Sequence, residues 1–153
     1  MGLFCRNFNI WPKIKKEFPN LKLLIGGGIC KRPEIQNKGE DIELLGKIND
    51  LQNFYSKGDI FINPVFEGTG LKIKNIEALS YGKIVICHPH NIEGIFQQNK
   101  APILIAKDSE EYATQFRKIF GSTKTISELK NKVEFYIKDY NKIVQSRFEE
   151  ALR

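Results

Sequence analysis

No apolar run in this sequence is longer than a β-strand. The longest, within DIFINP and KIVIC, fall well short of the roughly 20 residues that a membrane helix requires. The first residues also lack the basic, apolar and small-residue succession of a secretory signal, so the chain is expected in the cytoplasm. Cysteine is scarce. Cys5, Cys30 and Cys87 are odd in number and without metal-ligand spacing, and free thiols in a reducing compartment are expected rather than a disulfide framework or a zinc site. The two histidines, His88 and His90, lie close together in a stretch of irregular pattern, and no metal is expected there. With Asn91 and Glu93 they follow a strand and are candidates to meet a sugar or a phosphate. No internal repeat, low-complexity tract or flexible linker interrupts the chain.

What is present suits a single globular domain. The 153 residues are 41% hydrophobic and 27% charged, enough to bury a real core and too few for a second domain. A formal net charge of +6 admits nucleic acid, an anionic membrane face or a phosphorylated substrate. Lysines are scattered along the whole chain and the aromatic residues lie mostly at core spacings, so no nucleic acid is expected. Peripheral contact with the anionic inner face of a membrane stays open.

Helical and strand patterns alternate. An amphipathic helix is predicted over 8–18 through Ile10, Ile14 and Phe18, with Pro19 and Asn20 as its stop, and a strand over 21–25 runs into Gly26, Gly27 and Gly28. A short helix near 34–38 precedes a strand over 42–45. Asp50 then caps a helix carrying Leu51, Phe54 and Tyr55, and 59–63 forms the next strand. Residues 71–81 read as helix with Gly82 as the stop, 83–87 as strand, 93–97 as a short helix and 102–106 as a last strand. Helices are expected over 109–120 and from about 127 to 152. Apolar strands separated by helices imply a doubly wound parallel α/β sheet, Rossmann-like, with ligand at the carboxyl ends of the strands. The glycines at 26–28, 46, 68 and 70 all follow strands, so three loops are expected to converge on one crevice.

The richest stretch is NPVFEGTGLKIKNIEALSYGKIVIC, from Asn63 to Cys87. Gly68 and Gly70 permit close backbone approach, and a helix starting near Leu71 turns free N–H groups toward the loop, which suits a phosphate. Ile73, Ile76 and Leu79 are expected to form the buried stripe of that helix, with Glu77 on its flank. Glu77 has two readings: a local partner of Lys74 or Tyr81, or an acceptor for two vicinal ribose hydroxyls. Lys72 and Lys74 are either solvated or add charge to a diphosphate site. The glycine triplet at 26–28 is either a turn or a ligand contact.

Taken in order, LKLLIGGG, IELLGKINDLQNFYSKGDIFINP, EGTGLKIKNIEALSYGKIVI and NIEG resemble the donor-binding C-terminal domain of retaining glycosyltransferases of the two-domain GT-B architecture, the group 1 or family 4 class. The resemblance covers most of the chain. It implies binding of a UDP-, GDP- or ADP-sugar without a metal, and transfer of the sugar with retention to a glycan or lipid acceptor. It further implies that Glu77 binds the donor ribose, that Gly68, Thr69, Gly70, Leu71 and Lys74 bind the diphosphate, and that Ile48, within Gly46-Lys47-Ile48, offers an apolar face to the base.

The chain also departs from that family. Where two glutamates separated by seven residues are common, the position eight before Glu77 is Thr69. Either Glu67 serves the donor sugar from a loop of different length, or glycine and threonine replace that acid; Gly68-Thr69-Gly70 with Lys74 favours the second. Met1 to Phe8 do not supply the strand, Gly-Arg stretch and lysine with which such domains begin, and no acceptor-binding N-terminal domain is present. A fragment is therefore expected, one that binds nucleotide weakly and turns over negligibly. Two rivals stand beside this reading. One is a GT-B-like sugar-nucleotide epimerase half-domain. The other is a noncatalytic interaction domain with a vestigial crevice, in which Phe135, Tyr136, Tyr140, Ile143 and Phe148 of the last helix drive self-association.

Overall fold

Helix α1 (Ile10–Glu17) forms where Ile10, Trp11 and Ile14 fall on one face, and all three are buried in the computed structural model, which describes residues 10–36, 39–65 and 73–152. Two side chains fix the turn that follows. The Trp11 indole N–H donates to the Asp41 carboxylate at 2.6 Å, and Lys15 donates to the Leu21 carbonyl at 2.9 Å. Strand β1 (Leu23–Gly26) is buried throughout; a 3-10 turn (Gly28–Lys31) and α2 (Pro33–Gln36) lead to β2 (Ile42–Gly46), which pairs parallel with β1. Helix α3 (Leu51–Ser56) starts at Asp50, whose carboxylate accepts from the Asn53 N–H at 3.0 Å.

Strands β3 (Ile60–Asn63), β4 (Ile84–Cys87) and β5 (Ile103–Ile105) form a second parallel sheet in that order, with α4 (Ile73–Ser80) between the first two. Helix α5 (Ser109–Phe120) is capped by Asp108, which accepts from the N–H groups of Glu110 and Glu111, and Ser122 caps the 29-residue α6 (Thr123–Ala151). The α/β architecture and the long last helix agree with the sequence reading. The single doubly wound sheet resolves, among the described residues, into two parallel sheets, because no ladder joins β1 to β3. They share one core nonetheless: Ile14, Leu23, Ile25, Ile60, Ile62 and Phe116 belong to one buried cluster, with α1 and α5 packed together over it. Each such side chain, fully buried, contributes roughly 1.5–3 kcal/mol of transfer free energy.

Three expectations need correction. The helix at 93–97 is not formed: Gly94 and Gln97 both take positive φ, 77° and 43°, which breaks the helical path, and short 3-10 turns lie at Pro89–Asn91 and Gln98–Lys100 instead. Helix α6 begins earlier than 127, since the Ser122 hydroxyl accepts from the Lys124 N–H and starts it at Thr123. In α4 the buried face is Asn75, Ala78 and Leu79, whereas Ile73 is 64% exposed. A buried asparagine was not read as a core residue because its cost is met only by long-range hydrogen bonds, which local periodicity cannot reveal.

Candidate functional site

Gly27 takes φ 95° and Gly46 takes φ 63°, and the Gly27 N–H donates to the Gly46 carbonyl at 2.6 Å. That bond ties the loop after β1 to the end of β2 in conformations that favour glycine. Gly26 is needed for a different reason. A Cβ there would lie 2.8 Å from Ile48 Cγ1 and 2.9 Å from Phe54 Cε2, so the missing side chain is what lets Ile48 settle against the strand end. Ile48 thus becomes a fixed apolar wall. It faces a crevice of about 420 Å³ lined also by Lys31, Lys47, Leu51, Tyr55, Lys74 and Glu77.

Glu77 reaches this crevice from α4, and its partner there is one the sequence reading missed. The Tyr55 hydroxyl donates to Glu77 Oε1 at 2.7 Å, while the ring of Tyr81 stacks on that of Tyr55 with centroids 4.7 Å apart. Burial, followed by the hydrogen bond and charge of Glu77, pushes the Tyr55 phenol far above its usual range, so it stays a donor. The signal was present in sequence as the apolar helix face Leu51, Phe54 and Tyr55; nothing local says that its phenol meets a residue 22 positions later.

Behind the crevice, three asparagines form a buried network at the carboxyl ends of β3 and β4. Asn63 Nδ2 donates to Asn75 Oδ1 at 2.9 Å, Asn75 Nδ2 donates to the Asn91 carbonyl at 2.8 Å, and Asn91 Nδ2 donates to the carbonyls of Asn63 (3.1 Å) and Val65. Asn91 is only 2% exposed, so its side chain does not meet a sugar or phosphate as expected. Next to it, burial and then the neighbouring His90 hold the His88 imidazole below its usual range. Burial lifts the Cys87 thiol to about 12, which leaves it protonated and unreactive at neutral pH. Cys30 and Cys87 are both buried free thiols.

Of the residues predicted for the site, Ile48, Lys74 and Glu77 come together in the crevice. Glu67, Gly68, Thr69, Gly70 and Leu71 lie outside the described residues. A second, larger cavity of about 760 Å³ lies at the amino ends of the strands, lined by Leu21, Leu24, Ile60, Phe116, Phe120 and Lys130 among others. Among the described residues no helix is long and apolar enough to cross a membrane.

The frame has counterparts among solved structures. HepE from Anabaena, solved with UDP and glucose, superposes with a TM-score of 0.71 at 12% identity, over 96% of this chain and 44% of that one. A mutant O-GlcNAc transferase from Thermobaculum terrenum superposes with a TM-score of 0.68 at 17% identity, over 90% of this chain and 30% of that one. At these identities the likeness establishes the fold. The sequence establishes the family: residues 7–122 match the model of the group 1 glycosyl transferases, and the chain belongs to that family. A Klebsiella pneumoniae protein described as an uncharacterized 44.6 kDa protein in the cps region is 31% identical over 164 aligned positions. The alignment takes in 97% of this chain and 42% of that protein's length.

Proposed function

We propose that this chain is the donor-binding part of a sugar transferase and holds a nucleoside diphosphate sugar at the carboxyl ends of its strands. The observation that carries this reading is the Glu77 carboxylate, held at 2.7 Å by the Tyr55 hydroxyl on the wall of a crevice that also presents Ile48. A carboxylate offers about four lone-pair directions, and the Tyr55 bond takes one. Two vicinal ribose hydroxyls donate to the remainder, the base lies against Ile48, and Lys31, Lys47 and Lys74 lend positive potential to a diphosphate. The loop residues Glu67, Gly68, Thr69, Gly70 and Leu71 complete the diphosphate site, where N–H groups and the start of α4 stabilise the charge that develops on the leaving group as the sugar departs. No metal is needed for that step, because the charge is met by N–H groups and lysines.

Transfer proceeds with retention to a glycan or lipid acceptor, in keeping with a role in polysaccharide synthesis, and the acceptor is held by a second domain of the kind the longer relatives have room for. Without it donor and acceptor are not aligned, so the chain alone binds nucleotide and transfers negligibly. The enzyme works in the cytoplasm, at or near the membrane face.

Titration of the chain with UDP, GDP and ADP by isothermal calorimetry or NMR tests this, with Glu77→Ala as the control. Saturable binding of at least one diphosphate, weakened in the variant, is the expected result and identifies the base. A folded wild type indifferent to all three would overturn the reading.

A further inference from the structure

The asparagine network does more than satisfy buried polar groups. Val65 is the last described residue before 66–72, and Asn75 sits in the first turn of α4, one residue after Lys74 and two before Glu77. One residue serves both sides. The Asn91 side chain donates to the carbonyls of Asn63 and Val65, before that stretch, while its own carbonyl accepts from Asn75, after it. Asn75 is also held from β3 by Asn63, so α4 is pinned at two atoms of a single buried amide. The Asn63 carbonyl is bonded further by the Tyr112 hydroxyl at 3.3 Å and the His88 N–H at 3.0 Å, which anchors the cluster to α5 and β4. Asn91 lies on neither of the elements it joins. It comes from the 3-10 turn Pro89–Asn91 after β4.

We infer that Asn91 is a positioning residue for the crevice: from the turn after β4 it sets the spacing between the end of β3 and the start of α4, and thereby the place of Glu77. The inference rests on the nucleotide reading above for its consequence and on the hydrogen bonds alone for its geometry. Truncation at Asn91 takes a donor from the carbonyls of Asn63 and Val65, of which Asn63 keeps Tyr112 and His88, and so loosens the turn whose own carbonyl holds Asn75, while Tyr55, Ile48 and Glu77 remain chemically intact. A displacement of about 1 Å is enough to weaken a multi-point ligand site severely.

The test combines hydrogen exchange and nucleotide titration on wild type, Asn91→Ala and Asn91→Ser, the last keeping one hydroxyl donor in case the alanine variant does not fold. Expected are faster amide exchange at Val65 and over 73–76 with α5 amides unchanged, and nucleotide affinity about tenfold weaker for Asn91→Ala than for wild type, with serine between them. Exchange that is unaltered, or raised uniformly across the domain, would overturn the positioning role and leave Asn91 a core residue. Locally raised exchange with undiminished affinity would overturn the link to the site. If wild type binds no nucleotide while exchange still rises locally, the anchoring stands and the nucleotide reading fails.

Discussion

The two ends of the strands carry two cavities, and the larger one is the poorer candidate. At the amino ends, about 760 Å³ is lined by apolar side chains together with Lys22, Glu43, Lys57, Asp59 and Lys130, and Lys130 donates to Asp59 at 2.9 Å, which holds that carboxyl below its usual range. At the carboxyl ends, about 420 Å³ brings together two glycines at positive φ, a fixed isoleucine wall, and a carboxylate oriented by a buried phenol. Volume measures room; placed hydrogen-bonding groups measure recognition. The strand direction explains why they gather at one end. In parallel sheets every strand exits on the same side, so the ends of β1 and β2 meet there, and α4 brings Lys74 and Glu77 to them.

Substitutions sharpen this contrast. The largest effect is expected from Glu77→Ala, which removes charge-assisted acceptors worth roughly 1.5–3 kcal/mol, weakens nucleotide binding by about one to two orders of magnitude, and also lowers the melting temperature because the buried Tyr55 hydroxyl loses its acceptor. Next comes Gly26→Ala. The added methyl meets Ile48 at 2.8 Å and Phe54 at 2.9 Å, so overpacking of about 1–3 kcal/mol should appear as a lower melting temperature together with weaker binding. Tyr55→Phe removes one hydrogen bond, worth about 0.5–1.5 kcal/mol, and lowers nucleotide affinity a few-fold as Glu77 loses its fixed orientation. At the other end, Lys130→Ala should leave nucleotide affinity untouched and shift stability by less than about 1 kcal/mol. A loss of binding in that variant would break the contrast between the two cavities.

The smallest effect concerns acid. The Arg117 guanidinium holds the Glu17 carboxyl below its usual range, Lys13 and then Arg117 do so for Glu110, and Lys130 does the same for Asp59. Folded-state values below the unfolded ones give stability that is present above the unfolded range and is lost as pH falls below about 4. Arg117→Ala should flatten part of this acid limb by lowering the neutral plateau while leaving the acid end where it is.

Much of the fold was legible because its signals are local. Asp50 and Asp108 cap the helices they precede, Gly82 ends α4 with φ 70°, β4 is uniformly apolar, and β3 is apolar up to Asn63. Ile48, Lys74 and Glu77 were placed in one crevice by motif order, and they share it. What escaped was long-range and polar. The pairing of Tyr55 with Glu77 and the closure of Asn63, Asn75 and Asn91 depend on the register of separate strands and helices, which no residue pattern encodes locally. The same cause misassigned Ile73, for α4 turns Asn75 inward once its amide finds partners across the fold. On α6, Tyr136 is buried with its hydroxyl donating to the Phe96 carbonyl, whereas Phe135 and Phe148 are exposed, so the aromatic set divides between core and surface.

The most direct test of the central claim is a map of where nucleotide acts: backbone amide shifts of the wild-type chain titrated with UDP, GDP and ADP. Saturable shifts are expected at Gly27, Gly46, Ile48 and Glu77, with Leu24, Ile84 and Lys130 at the opposite end unmoved. Shifts confined to the amino-end cavity, or none in a folded chain, would contradict that claim.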